Sequence, residues 1–111
     1  MKTSERLYET KSAIATEHAW TQCAQATSAN GRETWPISEE AVRWCVYGAC
    51  YGVSNGFLAA TSRQDAYSHY LRNAAERLFR LPPSAVNDHL GFDAVHDMID
   101  FAIRLAENDG D

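Results

Sequence analysis

Cys45 near the middle of the chain, and Asp88, His89, Asp93, His96 and Asp97 toward its end, are the side chains best suited to chemistry. A nucleophilic cysteine needs a lowered pKa, partial exposure and a histidine base. Cys45 has no histidine close to it in sequence. On a helix it shares a strip with Ala41, Gly48 and Gly52, a composition suited to close packing. The favoured reading is a buried small hydrophobe. Cys45 and Cys50 lie five apart and face different sides of a helix, so they make neither a metal pair nor a disulfide. The histidines and aspartates would need to form a compact set with support behind it to hold zinc. Asp93 and Asp97 are one helical turn apart, but His96 lies off their line. A capping aspartate, a solvated acidic face and loop groups bonded to backbone account for these residues without a metal. Asn87-Asp88-His89 also suggests acid–base work, which requires a pocket and a partner within reach. Asn and Asp ahead of a helix more often bond backbone N–H groups and organise a turn. No cofactor is expected.

A basic and aromatic group comes next. Arg63, Arg72, Arg77 and Arg80 stand among Tyr67, His69 and Tyr70, a mixture that can hold phosphate and stack on bases. Tyr67 and Tyr70 fall on an apolar stripe, however, and Glu76 interrupts the arginines. The net charge of −5 and pI near 5.3 also disfavour nucleic acid. That charge is concentrated. From Asp88 onward seven acidic residues face Arg104 alone, so nearly all the excess belongs to the C-terminal element. Asp93, Asp97 and Asp100 line one side of it, a candidate docking surface for a protein partner with a basic face.

The elements that must position these residues follow from hydrophobic spacing. Thr3 or Ser4 caps a first helix carrying Leu7 and Ile14, which ends near His18 or Ala19. Residues 20–35 lose helical periodicity and contain Asn30-Gly31, which predicts a short β-hairpin with arms near Trp20–Ala26 and Arg32–Trp35. Trp20 and Trp35 would pin it to the helices. An irregular loop is the competing reading. Ser38 caps a second helix, with Glu39 and Glu40 in its first turn and Ile37 stapled onto Val42. It is apolar on nearly every side, through Val42, Val46, Ala49, Val53, Trp44, Tyr47 and Tyr51, so it belongs at the centre. Gly48 and Gly52 would admit a neighbouring helix backbone. Ser54-Asn55-Gly56 stops it. Ser62, with Asp65, caps a third helix whose stripe is Tyr67, Tyr70, Leu71, Ala74, Leu78 and Leu81, ended by Pro82-Pro83. A loop with one tight turn precedes a last helix capped by Asp93 and buried through Val95, Ile99, Ala102, Ile103 and Ala106. Asp100 can pair with Arg104. Residues 107–111 put three acids at the negative end of that helix and should fray.

With 111 residues, 45% of them hydrophobic and 23% charged, the chain predicts one domain, 1–111. Three cysteines without a charged-then-apolar leader predict a reducing, cytoplasmic setting. The apolar stretches fall well short of membrane-spanning length.

Three pieces in order resemble a family of small bacterial and phage proteins known as a domain of unknown function. They are Trp20-Thr21-Gln22 with Gly31, then Ala41, Trp44-Cys45 and Gly48-Ala49, then Asn87-Asp88 with Val95. The likeness spans almost the whole chain, and Trp-Cys-x-x-Gly-Ala is its most specific part. Cys23 stands where the resemblance calls for glycine, and Val86 where it calls for tryptophan. The resemblance implies a fold and a bacterial or phage origin, with no catalytic residue.

The expectation is a mainly α protein of four principal helices around a buried second helix, with a short β-hairpin near residues 20–35. Trp20, Trp44, Cys45, Gly48, Gly52, Asn87 and Asp88 form its structural motif. The favoured function is a non-enzymatic protein-interaction module acting through Asp93, Asp97 and Asp100, as an inhibitor or adaptor of a host protein. The alternatives are a small enzyme or metal-dependent protein built on Cys45 or the Asn87–His96 region, and a nucleic-acid-associated protein using the third helix.

Overall fold

A computed structural model of the chain describes residues 2–53 and 62–111, of which 51–53 and 62–65 are described by their backbone. Helix α1 runs Thr3–Ala13, followed by a 3-10 turn at Glu17–Ala19. Strands β1 (Ala26–Thr27) and β2 (Arg43–Trp44) precede α2 (Val46–Val53) and α3 (Ser62–Phe79). A short α4 (Pro83–Ala85) continues into a π-turn, Val86–Leu90, and α5 covers Phe92–Asn108. The fold is mainly α. Its Cα radius of gyration, 12.8 Å, is that of a compact body of this length.

The core is made where the stripes of α1, α2, α3 and α5 meet. Leu7 and Ile14, Val46 and Ala49, Tyr67 and Leu71, and Val95, Ile99 and Ile103 are all buried there. Helix α5 packs on both α1 and α3 and shows the clearest stripe, with Met98 buried as fully as Val95. Helix α3 stops as the prolines require, with Arg80 in the left-handed region just before them. The expected helix stop at 54–56, the Ser62–Asp65 cap and the side-chain surroundings of Gly52 lie outside the described residues.

A hairpin forms around Asn30-Gly31. Gly31 has φ +83°, Ser28 N–H donates to Arg32 O at 2.8 Å, and Thr34 N–H to Ala26 O at 3.0 Å. The same arm also pairs on its other side. Ala26 lies opposite Trp44 and Thr27 opposite Arg43, antiparallel. That second pairing takes residues 43–44 away from the helix, so α2 starts at Val46 and not after Ser38. Ser38 instead accepts the Glu40 N–H in a local turn, at 3.2 Å.

Three end effects also differ from expectation. Helix α1 ends at Ala13, and neither Thr3 nor Ser4 caps it by its own side chain. Gly91, at φ +101°, occupies the N-cap of α5 and Asp93 makes no cap bond. The C-terminal segment is docked where fraying was expected. Thr3 N–H donates to Asp111 Oδ1 at 3.0 Å, Thr3 Oγ1 to Asp111 Oδ2 at 2.8 Å, and Ser4 N–H to Asp111 O at 2.8 Å. Acids that disfavour the end of α5 thus serve the positive end of α1.

Candidate functional site

Asn87 is the knot of the structure. It is buried in the π-turn, a backbone form concentrated at functional sites. Its Oδ1 accepts from Trp20 Nε1 at 2.9 Å and from Val46 N–H, the first turn of α2, at 3.1 Å. Its Nδ2 donates to Thr21 O and to Asp88 Oδ1, both at 3.0 Å. Gln22 Nε2 reaches back to the carbonyls of Asn87 and Asp88, each at 3.1 Å. Asp88 Oδ1 also accepts the Cys23 N–H at 2.8 Å. Cys23 has φ +62°, the left-handed conformation that glycine adopts without cost.

The small-residue strip of α2 meets backbone. A Cβ on Gly48 would lie 1.8 Å from Gln25 O, so Gly48 admits the 20–27 arm and not a second helix. Gln25 O accepts the Cys45 N–H at 3.0 Å. Trp44 Nε1 donates to Pro36 O at 3.0 Å, so Trp44 anchors the 33–42 loop. Trp20 stacks edge-on against Phe92 at 5.7 Å. Trp35 does not pin the hairpin; it is 77% exposed.

These contacts leave an open cleft of about 1070 Å³ between the hairpin loop, the start of α2 and the π-turn. Glu33, Trp35 and Pro36 of the loop, Cys45 and Tyr47, and Asn87 and Asp88 of the π-turn are among the residues that line it. Among the described residues no histidine, lysine or arginine lines it. The Cys45 sulfur accepts the Gly48 N–H at 3.2 Å. Burial pushes the Cys45 thiol up, against the opposing backbone donors of Gly48 and Tyr47, and the nearby Asp88 charge adds to the rise. A raised thiol pKa runs against the lowered one that a nucleophilic cysteine needs. Sequence reasoning missed Glu33 and misread Trp35; only the bulk of a tryptophan beside a proline could have signalled a rim.

The other candidates are dispersed. Asp93 and Asp97 are exposed on α5, whereas Asp100 pairs with Lys11 at 2.6 Å and not with Arg104, which lies over the Phe101 ring. His96 Nε2 bonds Ile14 O at 2.7 Å and packs against Phe92. His89 is exposed. Among the described residues no three metal-ligating side chains are gathered together. On α3, Tyr67 and Tyr70 are buried, their hydroxyls donating to Val46 O at 2.7 Å and Asp109 Oδ2 at 2.8 Å. They cannot stack on bases, which leaves His69, bonded to Asn73, as the only exposed ring among Tyr67, His69 and Tyr70. Among the described residues no helix is long and apolar enough to cross a membrane.

No family model matches the chain, and neither a curated protein nor a solved structure shows significant similarity to it.

Proposed function

We propose that the protein is a non-enzymatic, cytoplasmic interaction module that docks a protein partner with a basic surface. The observation that carries this reading is Trp35, an exposed side chain on a cleft whose lining carries the carboxylates Glu33 and Asp88. Ile37 and Val42, in the same loop, are exposed as well. A large apolar side chain held in water next to a groove suits a contact surface, and tryptophan is strongly enriched among residues that dominate binding energy. The acidic side of α5 supports the same reading through long-range attraction, with Asp93 and Asp97 available and Asp100 already engaged by Lys11. The resemblance to bacterial and phage proteins makes an inhibitor or adaptor of a host protein the matching role. The thiol-enzyme alternative calls for a lowered Cys45 pKa, whereas burial raises it.

Cross-linked capture from bacterial lysate, comparing the parent with Trp35→Ala and with Asp93→Asn/Asp97→Asn, tests the proposal. A recovered protein with a basic surface should be lost with Trp35→Ala and recovered more slowly, with weaker salt dependence, with the double variant. Capture indifferent to all three changes would overturn it.

A further inference from the structure

Resting on that reading, we infer that the cleft takes an extended segment of the partner carrying a lysine or arginine, whose cation sits between Glu33, Asp88 and the Trp35 ring. Three independent features of the cleft specify this occupant. The first is charge. Glu33 and Asp88 are the acidic side chains lining it, and among the described residues no basic side chain joins that lining, although Arg72 acts on Tyr47 from outside it. Asp88 Oδ1 is consumed by Cys23 N–H and Asn87 Nδ2, while Oδ2 has no partner among the described residues. One oxygen holds the carboxylate in place and the other is left to receive a donor. The second is the aromatic surface. Trp35 presents an exposed ring on the same rim, and tryptophan is the best face for an ammonium or guanidinium.

The third feature separates an extended peptide from a free amine. Glu33 pairs with Thr27 in an isolated antiparallel bridge, flanked by the Ser28-to-Arg32 and Thr34-to-Ala26 bonds. At such a position the N–H and C=O of Glu33 point away from Thr27. They have no partner among the described residues. The 32–34 arm is thus a free strand edge at the cleft wall, able to add a peptide strand through main-chain bonds while the cleft takes an alternate side chain.

The probe is an acetylated, amidated pentapeptide with lysine between two valines, alongside its arginine and norleucine counterparts. NMR shifts of the Trp35 indole and the Glu33 amide report binding. The lysine and arginine peptides should shift both signals saturably, with norleucine about tenfold weaker or silent. Glu33→Gln/Asp88→Asn should erase the difference, since Asn keeps an oxygen for Cys23 N–H while removing the charge. Equal binding of the norleucine peptide, shifts centred on Asp93 and Asp97, or no shift at millimolar peptide would each overturn the inference. If the peptides fail while protein capture still depends on Trp35, the interaction reading stands without this occupant. If capture fails as well, both fall.

Discussion

Asn87 shows how much one side chain can organise. Its amide joins the Trp20 indole, the Thr21 carbonyl and the start of α2, all distant in sequence, and also bonds the neighbouring Asp88. Removing it takes the partner from the Trp20 indole, the buried Val46 N–H and the Thr21 carbonyl, so Asn87→Ala should cost about 3 kcal/mol or more in chemical denaturation, at about 1–3 kcal/mol for each group left unsatisfied. Asn87→Asp is the sharper variant. Its Oδ1 can still accept from Trp20 and Val46, but a second carboxylate oxygen would face Thr21 O and Asp88. Repulsion and burial raise such a carboxyl in the folded state, so the protonated form is favoured. The variant should therefore gain stability as pH falls from neutral toward 5, a trend the parent should not share in full. A pH-independent deficit would mean that the oxygen does not face those acceptors. The residue types at this knot were legible in sequence as turn formers. Their long-range partners were not, because Trp20, Thr21, Cys23 and Val46 all come from distant segments.

At the scale of elements, the sequence is readable wherever one stripe decides the outcome. Helices α3 and α5 sit where their apolar residues recur at helical spacing, and Asn30-Gly31 marks the hairpin turn. The region 38–45 defeats the same reasoning. Val42, Val46 and Ala49 continue a helical strip, and Ser38 with Glu39 looks like a cap, yet Arg43 and Trp44 join β1. Pairing with a distant arm overrides local propensity there. Gly48 records that pairing in the helix. It is conspicuous in sequence because glycine costs about 1 kcal/mol inside a helix, but nothing local says that its neighbour is the Gln25 carbonyl. Gly48→Ala, ordinarily a stabilising change, should here destabilise by about 3 kcal/mol or more, since rigid backbone has to move. Hydrogen exchange should quicken at Thr27 and Cys45 before it does in α3. A neutral or stabilising effect would mean that the 20–27 arm does not lie over α2 in solution.

The whole molecule is closed through its acidic end. Asp111 sits on the first turn of α1, and two residues earlier Asp109 accepts the Tyr70 hydroxyl of α3. Sequence reasoning expects this segment to fray because it weighs the charges against their own helix alone. Folding brings two other helices within reach of them. Burial, and then the Asp109 carboxylate, push the Tyr70 hydroxyl up to about 12 from its ordinary 10, with Asp111 adding to the rise. A folded-state value above the unfolded one means that the protonated hydroxyl stabilises the fold. That contribution is fully present below pH 10 and is lost as pH rises through about 12. Tyr67 and Tyr47, whose hydroxyls burial also pushes up, lose stability over the alkaline range in any variant that retains them. The Tyr70 contribution is therefore isolated by comparing the parent with Tyr70→Phe. At neutral pH the variant should be weaker by about 1 kcal/mol, the net worth of one hydrogen bond. Above pH 10 the gap should narrow, because only the parent has a hydroxyl at this position to ionise against Asp109. Urea denaturation across that range reads the difference directly. A gap that stays constant up to pH 12 would mean that Tyr70 does not hold Asp109, and that α5 is not tied to α3 by this contact.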